Sequence, residues 1–373
     1  MPALTEEHEM LRDAARAFVQ EKMPVAHLRA VRDSAEAAGF DRTLWAEMAA
    51  LGWTGVLIPE QHGGSGLGYV GLGLILEEAG RTLAPSPLLS TALIGASAIL
   101  LAGSAAQHAA WLPKIAAGET ILALAIDEGP HHAPHKLALQ ARRDGDAYAL
   151  SGSKKYVADG HVADAFVVAA RDGGAIGLFL VPADAAGLTA TPLKTVDSRG
   201  ATDLKLDDVR VEAAHVLHAP SPAGAALLDQ ILDRARIGLA AEMLGQATQA
   251  FETTAEYLKT RTQFGQVIGT FQALQHRAAK MFVDIEMTRS CVLDALHALD
   301  ENRNDIAECA SLAKARAGDT LHLVSNEMVQ MHGGIGMTDA ADPGLYLKRA
   351  RVAEALYGSA SFHRDRYAAL NRF

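Results

Sequence analysis

Three histidines crowd the segment IDEGPHHAPH (126–135), and His131, His132 and His135 have spacing from which a metal site could be built. A zinc site needs a fourth ligand on a rigid frame. Pro130 and Pro134 break this loop and no fourth ligand is evident, so the cluster reads as a solvated loop without a metal. Glycines 63, 64, 66 and 68 in IPEQHGGSGLG (58–68) suggest a phosphate-binding turn. Such a turn works inside a strand–turn–helix unit, and no βαβ pattern surrounds it here. The only cysteines, Cys291 and Cys309, lie eighteen apart in a helical stretch, which suits neither zinc nor a disulfide framework. None of these clusters specifies a reaction.

The elements around them are more informative. A chain of 373 residues, 49% hydrophobic and only 5% aromatic, can fill two or three domains whose interior is rich in Ala and Leu and packed from helices. A net charge of −10 argues against a nucleic-acid partner, which would need a positive field. The opening MPALTEEHEMLRDAARAF is amphipathic and acidic, unlike a leader, and even the apolar stretch 92–106 is interrupted by Gly and Ser. The expectation is a cytoplasmic protein with no membrane insertion.

Residues 1–120 show helical spacing, first at Leu11, Ala14, Ala15, Phe18 and Val19, then at Leu44, Met48 and Leu51. A long apolar helix from about Tyr69 to Leu83 is ended by Pro85 and Pro87. Residues 121–220 change to short β-rich runs: ILALAI, AYALSG, KKYVAD, AFVVAAR, AIGLFLVP and TDLKLDDVRV. With no helix between them they suit an antiparallel barrel or sandwich. Residues 221–373 turn helical again, with long segments near 221–261, 268–301, 304–332 and 342–370, as in a four-helix bundle. The predicted fold is mostly α with a central β domain.

Three stretches make this order specific. LGWTGVLIPEQHGGSGLG (51–68), RTQFGQVIGTFQALQHRAAKM (261–281) and QMHGGIGMTD (330–339) resemble, in sequence order, the signatures of the acyl-CoA dehydrogenase family. The resemblance implies an N-terminal helical domain, a middle β-barrel and a C-terminal four-helix bundle. It further implies FAD, an acyl-CoA substrate, electron-transfer flavoprotein as acceptor, and a tetramer in which flavin contacts cross an interface. Arg261 and Phe264 match positions that meet the FAD pyrophosphate and adenine region of a neighbouring subunit. Gln272 matches another FAD contact, and Gln330, Gly333 and Gly334 match the loop whose backbone approaches the dinucleotide. These residue types suit such contacts, because a guanidinium pairs with phosphate oxygens and glycine lets backbone come close to a bulky anion.

The chain also departs from the family. The family reaction removes an α-proton from the thioester with a carboxylate base. The commoner base position follows a tyrosine near the C-terminus, and in LYGSASFHR (356–364) Gly358 stands there. The alternative position falls on Ala235, while the neighbouring Arg236 matches an arginine bordering the active site. Three carboxylates could substitute: Asp233, offset by about 160° around a helix, Glu242, two turns beyond Ala235, and Glu354, one turn before Gly358. The middle-domain signature that contacts flavin and CoA is replaced by IDEGPHHAPH. Tyr156 and Ala158 align where an aromatic and a threonine line the flavin ring, so stacking is kept and a hydroxyl is lost.

Three functions are compatible with these residues. The leading one is a base-less partner subunit of a heterotetramer that carries out α,β-dehydrogenation of an acyl-CoA to the 2,3-enoyl-CoA, in fatty acid or steroid side-chain degradation. The alternative is a self-sufficient homotetramer with a displaced base. The third, a non-catalytic flavoprotein of the same fold such as a DNA-associated alkylation-response protein, would want a basic surface and a longer C-terminal region. Small residues Gly238, Ala240 and Ala241 leave room for a branched or ring-bearing acyl group.

Overall fold

A computed structural model describes residues 4–34 and 39–373; Met1, Pro2 and Ala3 of the acidic opening stretch lie outside it. Among the described residues six α-helices come first: α1 (Glu6–Lys22), α2 (Val25–Asp33), α3 (Arg42–Ala50), α4 (Gly68–Arg81), α5 (Ala96–Ala102) and α6 (Ala105–Ala116). Eight strands follow: β1 (Leu122–Ala125), β2 (Gln140–Asp144), β3 (Ala147–Ala158), β4 (Ala165–Asp172), β5 (Ala175–Pro182), β6 (Leu188–Leu193), β7 (Ala201–Val211) and β8 (Val216–Ser221). The last part holds α7 (Gly224–Thr260), the short hairpin β9 (Thr262–Gln263) and β10 (Gln266–Val267), α8 (Gln272–Asp300), α9 (Ile306–His332), α10 (Pro343–Ala355) and α11 (Ala360–Leu370). Among the described residues no helix is long and apolar enough to cross a membrane.

The chain forms two compact units. One gathers the N-terminal segment to Asp33, Tyr69–Ala84 and Arg236–Phe373. Its helices approach closely where side chains are absent: a Cβ on Gly80 would strike the Glu242 carbonyl, and one on Gly245 would strike that of Glu77. Charge is buried along with them. Glu242 accepts from Arg349 (Nη2, 2.9 Å), Glu77 pairs with Arg289, and Glu78 accepts from Arg16 at 2.8 Å. Burial pushes the Glu77 carboxyl upward, against the pull of Arg289. The predicted stripe on α1 is narrower than its spacing suggests, with Ala15 and Val19 buried and Ala14 exposed.

The other unit comprises Ser34–Gly68 and Pro85–Ala235. Its strands form one sheet in the order β6-β7-β3-β2-β4-β5-β8, with β1 also on β4. Most ladders are antiparallel, as expected from the lack of intervening helices. The exception is β1, which runs parallel to β4 from Leu122↔Ala165 to Ala125↔Val168, and β2 touches β4 in parallel at Gln140↔Arg171. The loop 126–139 makes this possible by carrying the chain back before β2 begins. AYALSG and KKYVAD are one strand, β3, bent by irregular register between Leu150 and Gly152 and again between Lys154 and Val157. β2, β6 and β8 were not legible as strands in the sequence: β2 (QARRD) and β6 (LTATPL) are largely exposed, and β8 (VLHAPS) is mostly half-buried with no clear alternation. A wide π-helical turn, Leu88–Gly95, is wholly buried and leads into α5. The last predicted long helix is two, α10 and α11, interrupted at Leu356–Ser359.

Candidate active site

In the first unit, α7 ends one residue before Arg261, and the chain turns into the β9–β10 hairpin. Both turn residues of the hairpin have positive φ, +54° at Phe264 and +77° at Gly265, the left-handed pair of a two-residue turn. Such a backbone is costly for phenylalanine, and its ring is nevertheless 90% exposed. Arg261 and Gln272, the first residue of α8, are exposed as well. Gln330 is exposed on the last turn of α9, which stops at Gly333 with φ +63°. A Cβ built on Gly333 or Gly334 would meet nothing within 4 Å. An arginine, two amides and two side-chain-free, open backbone positions form a donor set that fits a dinucleotide pyrophosphate, so the residues present suit FAD.

The base positions look different. Tyr357 and Gly358 carry φ +57° and +109° in the break between α10 and α11. A Cβ on Gly358 would lie 2.6 Å from Phe362 Cδ1 and 2.8 Å from His363 Nε2. Buried cationic side chains hold the turn: Lys314 Nζ donates to the carbonyls of Ala353 (3.0 Å), Glu354 (3.2 Å) and Gly358 (3.0 Å). Arg236, which has no exposed surface, donates from Nε to the Tyr357 carbonyl at 3.3 Å and lies over the Phe362 ring. His363 Nε2 is 3.1 Å from the same carbonyl. Three acceptors match the three N–H bonds of an ammonium, yet burial pushes Lys314 down to about 7, helped by Arg236 and opposed by Glu354. Burial likewise drives His363 to about 2, which keeps it neutral.

Each proposed substitute carboxylate has its own surroundings. Glu242 is engaged by Arg349 and accepts from Gln246 Nε2 at 2.9 Å. Glu354 accepts from Arg351 at 2.8 Å and lies 3.2 Å from His322 Nδ1. Asp233 is 4% exposed on α7, and Ala235 is wholly buried. Gly238, Ala240 and Ala241 are buried too.

In the second unit, Tyr156 has φ +52° where β3 and β7 lose register, and it is 59% exposed. The irregularity turns its ring out of the sheet, and its N–H donates to Asp203 at 3.1 Å. Ala158 ends β3. The histidine loop is more ordered than a solvated loop. His132 has a side chain only 4% exposed, with Nδ1 3.0 Å from both oxygens of Asp127. Glu128 pins the loop's neck by accepting from the Ala138 and Leu139 N–H groups and from the buried Lys154 ammonium at 2.7 Å. His135 faces Asp229 instead, so the three histidines do not converge. Among the described residues no group of three or more His, Cys, Asp or Glu could hold a metal ion.

Comparison with known proteins accords with this architecture. Acyl-CoA dehydrogenase N-terminal, middle and C-terminal domains match residues 5–119, 128–209 and 223–370. The probable acyl-CoA dehydrogenase YngJ of Bacillus subtilis is 31% identical over 97% of each chain. A variant of the steroid ACAD Tcur3481-Tcur3483 superposes with a TM-score of 0.90, at 36% identity over 98% of each chain. The ChsE4-ChsE5 complex from Mycobacterium tuberculosis gives 0.91 at 28% identity, covering 100% of this chain and 99% of that one. The chain belongs to the acyl-CoA dehydrogenase family, oxidoreductases that act on CH–CH groups. Sequence reasoning missed Lys314 and His363, since a lysine or histidine inside a helical pattern looks like a surface residue.

Proposed function

We propose that this chain is the base-less partner subunit of a heterotetrameric, FAD-dependent acyl-CoA dehydrogenase, with domains at 1–120, 121–220 and 221–373. The observation that carries this reading is at Gly358, where the commoner base would stand. The position has no side chain, a backbone conformation that disfavours one, and Phe362 and His363 in the space one would enter. Two of the three substitute carboxylates, Glu242 and Glu354, are held by arginines. Arg261, Phe264, Gln272, Gln330, Gly333 and Gly334 serve a flavin held mainly by the neighbouring subunit. Separately, Tyr156 and Ala158 align where an aromatic and a threonine line a flavin ring.

FAD, when bound, supplies the two-electron acceptor for the CH–CH oxidation. The role of this chain is then to bind and orient: Arg261 neutralises pyrophosphate charge, and the glycine loop donates backbone N–H groups to it. Proton abstraction belongs to the base-bearing partner, electrons pass to electron-transfer flavoprotein, and the setting is cytoplasmic. The steroid ACAD and the two-component ChsE4-ChsE5 complex support a heteromer and a bulky, ring-bearing acyl group. The small residues Gly238, Ala240 and Ala241 agree with such a group.

The test is to purify the chain alone and with a co-expressed base-bearing homologue, then follow flavin bleaching on anaerobic addition of an acyl-CoA panel. Bleaching only in the co-expressed complex is the expected result. A yellow homotetramer that bleaches by itself overturns the reading in favour of a displaced base.

A further inference from the structure

Two segments of the first unit face the dinucleotide under the reading above: the hairpin after Arg261 and the loop from Gln330 to Gly334. They emerge from the C-terminal ends of different helices, α7 and α9, and are sixty-nine residues apart in sequence (330 minus 261). Anything that lets these ends drift loosens a site that depends on both. One side chain joins them. Tyr257, on the last turn of α7, stacks on the imidazole of His332, the last residue of α9, with ring centroids 4.3 Å apart and planes 23° from parallel. Its hydroxyl also donates to the His332 carbonyl at 3.3 Å.

Both partners are fixed from behind. The Tyr257 carbonyl accepts the Arg261 N–H at 2.9 Å, and the Arg261 carbonyl accepts the Ile268 N–H at 2.9 Å, closing the base of the hairpin. His332 is buried, and its Nδ1 lies 2.7 Å from the Met328 carbonyl, which places the ring proton on Nδ1. Burial holds this imidazole below its ordinary range and so keeps it neutral for stacking. The His332 carbonyl that Tyr257 reaches is bonded directly to the nitrogen of Gly333, where the open glycine backbone begins.

We propose that Tyr257 is a positioning residue for the flavin: through His332 it holds the Arg261 hairpin and the Gly333–Gly334 loop in the one arrangement that receives the pyrophosphate. It touches neither substrate nor reacting atoms, so it governs retention of FAD and leaves the KM for acyl-CoA unchanged. This inference rests on the FAD-facing assignment of the two segments, and the test separates the two ideas.

The experiment uses the assembled enzyme, stripped of flavin and titrated with FAD while protein-bound flavin fluorescence and visible circular dichroism are followed. Tyr257→Leu is expected to raise the FAD dissociation constant about tenfold and to alter the dichroic bands. Tyr257→Phe, which keeps the stack and loses the hydroxyl, is expected to restore all but about threefold of it. Arg261→Ala is the control for the site itself. If Arg261→Ala weakens FAD and Tyr257→Leu does not, the clamp is wrong and the site stands. If neither substitution changes FAD affinity, the site assignment fails and takes the clamp with it. A Tyr257→Leu protein that melts lower without flavin yet binds FAD with unchanged affinity and spectra assigns Tyr257 to stability alone and overturns the proposal.

Discussion

Gly358 and Gly334 stand in the same unit, but the surroundings of the two glycines are opposite. A Cβ at Gly358 runs into Phe362 and His363, whereas one at Gly334 meets nothing within 4 Å. The first glycine is enclosed by the chain's own side chains, locked under Lys314 and Arg236. The second has open space around its backbone. Under the proposed function, loss of a base and retention of a cofactor contact leave different physical marks: a filled, clamped turn in one place and a bare, exposed backbone in the other.

The strongest way to break this comparison is to put the carboxylate back. Gly358→Glu forces a side chain into an occupied space at φ +109°, and overpacking plus strain should cost about 4 kcal/mol, seen as a large fall in melting temperature. A stable variant that also bleaches with acyl-CoA would erase the contrast. Next in size, Glu242→Gln leaves Arg349 without its buried counter-charge and should destabilise the fold by about 3 kcal/mol. Bleaching of the surviving folded complex should be unaffected, whereas a catalytic Glu242 would lose it.

Lys314→Met removes the donor from three carbonyls and should cost about 2 kcal/mol above about pH 10, where the amine is buried uncharged. The pH dependence sharpens this. Lys314 titrates at about 7 in the folded chain and near its ordinary value of about 10.4 when unfolded, so the unfolded state binds the extra proton between those limits. Its contribution to stability therefore grows as pH rises from about 7 towards about 10.4, and is lost as pH falls through about 7. Denaturant midpoints across that window should climb more steeply for the natural protein than for Lys314→Met; parallel curves would remove Lys314 from the clamp. The smallest effect on the fold belongs to Gly334→Ala. The melting temperature should hold within a degree or so for a change of under about 0.5 kcal/mol, while FAD affinity falls about tenfold. Unchanged affinity would mean the open backbone faces solvent only.

Much of this was legible in the sequence. The apolar runs of β4 and β5 announce buried strands, and α7, α8 and α9 fall within a few residues of their predicted limits. The hairpin with its Gln-Phe-Gly turn and the loop before Gly334 stood out because their residue types are unusual at those places. What stayed hidden has common physical causes. β2 and β6 expose QARRD and LTATPL, so neither carries the alternation of a half-buried strand. The break after α10 has no proline, only Gly358, and its shape depends on Lys314 arriving from forty-four residues earlier (358 minus 314). His132 looked solvated until the fold placed Asp127 beside it. The sequence displays what a residue is; whether a charge is buried depends on which distant segment covers it.

Phe264 has a consequence for how such a protein must be supplied. Its ring stands 90% in water on a strained turn, near in sequence to Phe282, Val283 and Met287 on α8, each more than half exposed. Under the proposed heterotetramer, a copy made without its partner presents these apolar side chains to every other unpaired copy. Matched synthesis of the two subunits would then serve solubility as well as activity, and a surplus of this one would precipitate or be degraded in proportion to the imbalance.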